Sequence, residues 1–246
     1  MSYQVVIPAR WASTRLPGKM LADLAGKPLV VRTAEQASRS GAQSVIVATD
    51  HEPIARVVRE HGFEAVMTQT NHPTGTDRLS ETARQLQWPD DTVVVNVQGD
   101  EPRIDPALID ELALRLIQSP EAAIATAAAP ISDQSTIDNP NAVKVVLDQK
   151  GQALYFSRSP IPFMRHQVAG LTALHHIGIY AYRVGFLNTF PSLTQGLLEQ
   201  AESLEQLRAL EHGFKIQVLV TDRPHAAGVD TERDLYAARQ FYASQI

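Results

Sequence analysis

The stretch QVVIPARWASTRLPGKML (residues 4–21) joins an apolar run to a loop that carries positive charge. Its first six residues (4–9) are compact and rich in β-branched side chains, which is typical of a strand covered on both faces. The loop places Arg10, Arg15 and Lys19 close together, with no acidic residue among them. Cations this close repel one another unless something negative lies between them. The stretch therefore predicts a strand whose carboxyl end leads into an anion-binding loop.

The composition is that of an ordinary globular protein, with 246 residues, 44% hydrophobic residues, 20% charged residues and a net charge of −5. This length can bury the core of one α/β domain. The negative net charge argues against nucleic-acid binding, which usually needs a basic excess. Because the chain has no cysteine, we expect neither a disulfide nor a thiolate metal site, and this fits a reducing cytoplasm.

The start of the chain does not resemble a signal peptide, since polar Ser2 and Gln4 precede an apolar run that stops at Pro8. No apolar stretch approaches the ~20 residues that cross a bilayer. We therefore expect a cytoplasmic protein with no membrane partner.

Strand-like and helical patterns alternate along the first half. SVIVAT (44–49) and TVVVNVQ (92–98) resemble the first strand, and apolar residues recur at helical spacing over 28–41, 52–62 and 76–87. This alternation predicts an α/β fold with a doubly wound, mostly parallel, Rossmann-like sheet. In such sheets the ligand crevice lies beyond the carboxyl ends of the strands, where the cationic loop also falls.

The second half is less regular, and we expect it to form a smaller, substrate-facing part of the same domain. We interpret residues 160–173 as a loop or lid. The remaining patterns predict strands at 141–148, 153–158, 175–183 and 215–221, and helices at 197–212 and 231–243.

The loop has neither a Walker A sequence nor a G-x-G-x-x-G pattern, so its chemistry must come from cationic side chains and backbone N–H groups. Pro8, Pro17 and Gly18 indicate a fixed backbone path. We interpret the loop as a cradle for the phosphates of a nucleoside triphosphate, and the alternative is a solvated basic loop.

GDEP (99–102) follows a buried strand directly and supplies carboxylates at the same predicted edge. Hard divalent cations are commonly held by one or two carboxylates together with substrate phosphates, so Asp100 is a candidate ligand for Mg²⁺. Asp230 in GVDT is the second candidate. The alternatives are a solvated Gly-Asp turn at Asp100 and a helix cap at Asp230 or Thr231.

Histidine predicts no zinc site, because His175 and His176 are adjacent and point to opposite faces of a strand. We expect one of them to hydrogen-bond the substrate and the other to be structural, and we expect His51, His61 and His72 at the surface. No nucleophile elbow or Ser-His-Asp pattern is evident, so no covalent intermediate is predicted.

Nine motifs between residues 7 and 235 resemble those of the 3-deoxy-manno-octulosonate (Kdo) cytidylyltransferases, also called CMP-Kdo synthetases. In chain order they are IPARWASTRLPGK, VATDHE, TGTDR, VVNVQGDEP, NPNAVKVVLD, YFSRSPIP, HHIGIYAYR, ESLEQLR and GVDTERDL. The resemblance implies one nucleotidyltransferase domain over 1–246, with 1–130 mainly binding CTP and 131–230 mainly binding sugar and making dimer contacts. It also implies transfer of CMP from CTP to Kdo with release of pyrophosphate, for lipopolysaccharide synthesis, by a Mg²⁺-dependent homodimer.

The resemblance also implies roles for individual residues. The catalytic set is Arg15, Lys19, Asp100 and Asp230, of which Asp100 and Asp230 are the metal ligands. The implied nucleotide-binding positions are Pro8, Ala9, Arg10, Arg15, Lys19, Thr74, Gly75, Arg78 and Gln98. The implied sugar-binding positions are Arg78, Gln98, Arg158, Arg165, His176, Tyr180, Glu205 and Gln206. A carboxylated, hydroxyl-rich sugar suits these side chains.

The chain departs from the family pattern at Leu197, where proline is common, at His175, where arginine is common, and in a shorter segment after PIPF.

The residues themselves are compatible with other functions. A cytidylyltransferase for a related acid sugar, such as 8-amino-Kdo or a sialic acid, shares the same first half. A glycosyltransferase usually presents D-x-D, whereas this chain has Gly99-Asp100-Glu101-Pro102. A regulatory protein that binds CTP without turnover is the non-enzymatic alternative.

Overall fold

The computed structural model describes residues 2–12, 16–166, 168–223 and 228–244. Arg15, a predicted catalytic residue, lies outside the described residues. The strands are β1 (Gln4–Ala9), β2 (Ser44–Thr49), β3 (Glu64–Met67), β4 (Val93–Asn96), β5 (Ile124–Pro130), β6 (Lys144–Leu147), β7 (Ala153–Ser157), β8 (Leu174–Arg183) and β9 (Ile216–Val220). The helices are α1 (Leu29–Ala37), α2 (Glu52–Glu60), α3 (Gly75–Gln85), α4 (Pro106–Ile117), α5 (Gln134–Asp138), α6 (Val184–Thr189), α7 (Leu197–Glu202), α8 (Gln206–Glu211) and α9 (Glu232–Ala243).

The strands form one continuous sheet in the order β3-β2-β1-β4-β8-β5-β9, and β6 joins β8 and carries β7. Parallel pairs connect β1 to β2 and β4, β2 to β3, and β5 to β9. Strand β8 is antiparallel to β4, β5 and β6, so it and β7 run against the other strands. The predicted doubly wound, mostly parallel α/β fold is therefore confirmed, with β8 as an antiparallel strand inside it.

Helices cover both faces of the sheet. Side chains of α1, α2 and α4 pack with Val5 and Ile7 on one face, and those of α3, α6 and α8 pack with Val6 on the other. Helix α9 forms a third, smaller cluster with Leu16 and Leu24, next to the cationic loop. Because successive β1 residues are buried on opposite faces, the apolar run of β1 is explained by packing on both sides.

The strands predicted in both halves are present, and so are the helices predicted at 28–41, 52–62, 76–87 and 231–243. The structure adds β3, α4, β5, α5 and α6 to the predicted elements. The helix predicted over 197–212 is wrong as one unit, because it is two helices, α7 and α8. Ser203 has φ 51° at the end of α7, a left-handed conformation that a right-handed helix cannot continue. The described residues within 160–173 form a loop, as predicted.

No helix within the described ranges is long and apolar enough to cross a bilayer.

The histidine pair at the start of β8 is divided between the two faces, as predicted. His176 is buried, its Nε2 lies 2.9 Å from the Thr126 hydroxyl oxygen, and its ring meets the edge of Phe156 at 4.9 Å between centroids. Thr126 can give its hydroxyl hydrogen to the Ile179 carbonyl at 2.8 Å and then accept from Nε2. Burial lowers the pKa of His176 to about 3, and His175 adds to the effect, so the folded chain holds a neutral imidazole.

This neutral histidine makes the fold sensitive to acid. The unfolded chain protonates His176 near its ordinary pKa of 6.5, whereas the folded chain does not until about pH 3. The free energy of unfolding should therefore fall as the pH drops below 6.5, by up to about 1.4 kcal/mol per pH unit from this group. In His176→Gln this contribution disappears, so the difference in stability between parent and variant should narrow towards acid pH.

Urea denaturation at several pH values between 4 and 7 measures this difference. His61→Gln, at an exposed position, is the matched control and should keep the pH dependence of the parent. A difference between parent and His176→Gln that does not change with pH would contradict the assignment.

Candidate active site

A cleft of about 650 Å³ lies at the carboxyl edge of the sheet. The cationic loop after β1, the segment after β4 and the start of α3 form its walls, because parallel strands bring these connections to one edge. Antiparallel β8 reaches the same edge, since Tyr180 pairs with Asn96 at the end of β4. The lining residues are Pro8, Arg10, Ala12, Lys19, Met20, His72, Pro73, Thr74, Gly75, Thr76, Arg78, Asn96, Gln98, Gly99, Asp100, Tyr180, Tyr182, Glu205 and Asp230.

Lys19 lies between the two predicted metal ligands. Its Nζ donates to Asp100 Oδ2 at 2.6 Å and to Asp230 Oδ1 at 2.9 Å, and it contacts the Val229 carbonyl at 3.3 Å. Gly18, with φ 68°, turns the chain into a short 3₁₀ segment that starts at Lys19. One ammonium group thus joins residues that are far apart in the sequence.

The charges of this cluster support one another. Burial lowers the pKa of Lys19, but its hydrogen bonds and charge interactions with Asp100 and Asp230 outweigh burial, so its net pKa lies above the ordinary value. Burial, with the charge of Asp100, raises the pKa of Glu101 to about 8, so that this neighbour is mainly protonated at neutral pH. The cluster therefore holds one positive and two negative side chains, with a net charge of −1 (1 − 2) when Asp100 and Asp230 are ionised.

The start of α3 forms the second wall. Thr74 caps the helix, in a reciprocal arrangement with Asp77, and Gly75 follows it. Arg78 lines the cleft, but its guanidinium is buried and bonds Asp50 at 2.8 Å and the Thr68 hydroxyl. The capping box and this ion pair fix the segment in place.

A group of polar and aromatic side chains lies beside the start of α3 in the cleft. Glu205 accepts a hydrogen bond from the Thr76 hydroxyl at 2.5 Å, and burial raises the pKa of Glu205. Tyr180 and Tyr182 stack at 5.7 Å between centroids and line the same wall. Gln206 lines a smaller cavity of about 70 Å³ behind these tyrosines. The left-handed turn at Ser203 ends α7 and allows α8 to start in a new direction, with Glu205 next to Thr76.

The remaining predicted site residues lie off the cleft that the described residues form. Ala9 is buried in β1, and His176 lies in the core below Tyr180. The Arg158 guanidinium donates to the backbone carbonyls of Glu202 at 2.6 Å and Pro140 at 3.0 Å. Arg165 is exposed in the loop over 160–173.

Sequence reasoning did not single out several lining residues, among them Asn96, Thr76, Tyr182 and His72. The expectation that His72 lies at the surface is wrong, since its side chain is 12% exposed and bonds Glu81. Its position directly before the TGTDR motif was the available signal. Tyr182 shares a face with Tyr180 through the two-residue period of β8.

The metal-binding capacity of the site rests on paired carboxylates. Within the described part of the chain, no group of three or more histidine, cysteine, aspartate or glutamate side chains is arranged to hold a metal ion. Asp100 and Asp230 already share one cation, and Mg²⁺ commonly uses one or two carboxylates with substrate phosphates and waters. The donor set therefore fits a magnesium ion whose remaining ligands are water or phosphate oxygens.

Comparison with known proteins agrees with this geometry. A sequence model of the family described as cytidylyltransferase matches residues 4–239. A solved structure of CMP:2-keto-3-deoxy-manno-octonic acid synthetase complexed with CTP is 39% identical, with 100% of each chain covered and a TM-score of 0.92. A cytidylyltransferase from Leptospira borgpetersenii serovar Hardjo-bovis (strain JB197) is 19% identical, with 99% of this chain and 87% of that chain covered and a TM-score of 0.65, a likeness that shows the fold alone. The chain belongs to the cytidylyltransferase family.

Proposed function

We propose that this protein transfers CMP from CTP to the anomeric hydroxyl of Kdo (2-keto-3-deoxy-manno-octonic acid) and releases pyrophosphate. The observation that carries the proposal is the ammonium–dicarboxylate cluster of Lys19, Asp100 and Asp230 in the cleft. It occurs in a chain that is similar over its whole length to a synthetase complexed with CTP. Such a cluster can bind a polyphosphate and a divalent cation side by side.

The triphosphate would bind along the loop that follows β1. Arg10 and Lys19 line the cleft there, and Arg15 belongs to the same loop in the sequence. Arginine and lysine stabilise phosphate oxygens by charge-assisted hydrogen bonds, and they need no rearrangement when charge moves to the leaving pyrophosphate. Thr74, Gly75, Arg78 and Gln98 would hold the nucleoside, with the backbone of Pro8 and Ala9 beneath it.

Mg²⁺ would be held by Asp100 and Asp230, together with phosphate oxygens of the nucleotide. Bound there, it supplies Lewis-acid stabilisation of charge on the reacting phosphate. Lys19 contacts both carboxylates and so keeps them together. Its ammonium group is also positioned to donate a hydrogen bond to a phosphate oxygen. The chain's own contribution is to orient the α-phosphate towards the sugar side of the cleft.

The sugar would bind against the polar and aromatic wall. Tyr180 and Glu205 offer a donor and an acceptor to hydroxyl groups, and Gln98 and Arg78, which line the same cleft, would lie between base and sugar. We assign His176 and Arg158 to support of this wall from behind, because their hydrogen bonds are with the protein. Gln206 would act from the small cavity behind the tyrosines, which it lines. Arg165 would reach the sugar carboxylate only when the loop over 160–173 folds towards the cleft.

We further propose that the protein is a cytoplasmic homodimer that serves lipopolysaccharide synthesis. Residues 131–230 would provide dimer contacts as well as sugar contacts. Support for association comes from large apolar side chains that this region exposes, since Leu154, Phe163 and Leu197 are 61%, 88% and 81% exposed.

The reaction itself is tested by pyrophosphate release with Mg²⁺ and CTP, comparing Kdo, 8-amino-Kdo and a sialic acid. We expect release that requires Kdo and that falls at least roughly 100-fold in Asp100→Asn, because the site loses a carboxylate that would hold Mg²⁺ against the reacting phosphate. Asp91→Asn, the same substitution before β4 at the opposite edge of the sheet, should behave like the parent.

Release with another acid sugar alone would replace the substrate and keep the mechanism. Absence of release with all three sugars would overturn the proposed activity in favour of a CTP-binding protein.

The metal proposal is tested without turnover, by thermal unfolding with and without Mg²⁺ in the absence of nucleotide. Lys19→Met leaves two carboxylates without their shared cation, so its melting temperature in EDTA should fall. Mg²⁺ should then raise the melting temperature of Lys19→Met more than that of the parent, because the ammonium no longer competes for the same oxygens.

Lys19→Met combined with Asp230→Asn is the control and should lose the added response to Mg²⁺. Equal Mg²⁺ shifts in parent, single variant and double variant would show that these carboxylates do not hold the ion.

A further inference from the structure

Trp11 connects the two ends of the phosphate loop, by which we mean residues 10–19. Its indole stacks on the His51 imidazole with ring centroids 4.2 Å apart and an interplanar angle of 13°. The same ring lies against Gly18, where an added Cβ would come within 3.2 Å of the indole Cη2. The second residue of the loop thus touches its ninth.

The backbone of Trp11 is anchored as well. Its N–H donates to Asp50 Oδ1 at 3.2 Å, and Asp50 Oδ2 accepts from Arg78 Nη2 at 2.8 Å. The side chains of Arg78 and Asp50 are only 4% and 11% exposed, so this ion pair is a firm point in the structure. Asp50 therefore ties the start of the phosphate loop to α3, whose first residues form the other wall of the cleft.

The two ends of the loop are held in different ways. Lys19, at one end, is fixed by its ion pairs with Asp100 and Asp230, whereas Arg10, at the other end, directly precedes Trp11. Trp11 is 45% exposed and does not line the cleft as described, so neither core packing nor contact with the substrate accounts for its position. Its stacking on His51, a residue outside the loop, instead restrains the end of the loop that carries Arg10.

We propose that Trp11 is a positioning residue that holds the phosphate loop ready for the triphosphate, with His51 and Asp50 as its fixed partners. The inference rests on the proposed function, since it assigns the loop to the phosphates of CTP. It predicts an effect on binding of the nucleotide and none on binding of the sugar.

The test compares Trp11→Ala and Trp11→Phe with the parent by calorimetric titration of CTP and by steady-state kinetics. We expect Trp11→Ala to raise the dissociation constant and the KM for CTP roughly three- to tenfold, the range of an aromatic pair. The KM for Kdo should stay at the parent value. Trp11→Phe keeps a ring on His51 and should restore CTP binding to within about twofold. Trp88→Phe, at a residue beyond the carboxyl end of α3, is the matched control and should bind CTP like the parent.

His51→Ala removes the stacking partner from outside the loop and serves as a second variant, which decides the question if Trp11→Ala does not fold. It should weaken CTP binding in the same direction. In a Trp88→Phe background Trp11 is the sole indole of the chain. His51→Ala should then increase quenching of its fluorescence by acrylamide, with or without CTP.

Unchanged CTP affinity in both Trp11→Ala and His51→Ala would overturn the positioning role, as would equal losses for CTP and Kdo with no rescue by Trp11→Phe. A parent protein that fails to bind CTP would instead contradict the proposed function. The acrylamide measurement separates the two cases, because it reports the stacking itself in the absence of nucleotide.

Discussion

Charge compensation around Lys19 is the interaction on which the rest of the site depends. The loop after β1 carries the cation, the segment after β4 carries Asp100, and the segment before α9 carries Asp230. Each of these groups would be unfavourable in a half-buried cleft without the others, because an unpaired charge there loses its hydration. The cluster thereby fixes three distant connections relative to one another. The cluster keeps a net negative charge, which favours binding of a divalent cation.

The parts of the fold that were predicted from the sequence are those where local pattern and tertiary environment agree. Strands β1, β2 and β4 are continuous β-branched runs because helices cover both of their faces. Strand β5, with the sequence IATAAAP, has little β propensity, and pairing with β8 and β9 makes it a strand. The start of α4 does carry a local signal, since Asp105 caps the helix just before Pro106.

The candidate site divides in a similar way. Lys19, Asp100 and Asp230 were predictable because each lies in a segment that follows a strand, at the edge where ligands bind. The surroundings of Glu205 were not predictable, because the helical pattern over 197–212 gives no sign of the left-handed turn at Ser203. Arg158 illustrates a further limit. Its residue type suits a sugar carboxylate, yet its guanidinium is occupied by backbone carbonyls that come together only in the folded chain.

The place of β8 in the sheet has a consequence for how the protein is made. Strands β1 to β4 are complete once residue 96 has left the ribosome, but the neighbour of β4 is β8, which spans residues 174–183. During synthesis of the intervening chain, β4 remains an open edge, and open edges are prone to pair with other chains. Until β8 is made, the backbone N–H and C=O groups on that side of β4 therefore lack their final partners. Arrival of a single late strand closes the exposed edge and links the early and late segments.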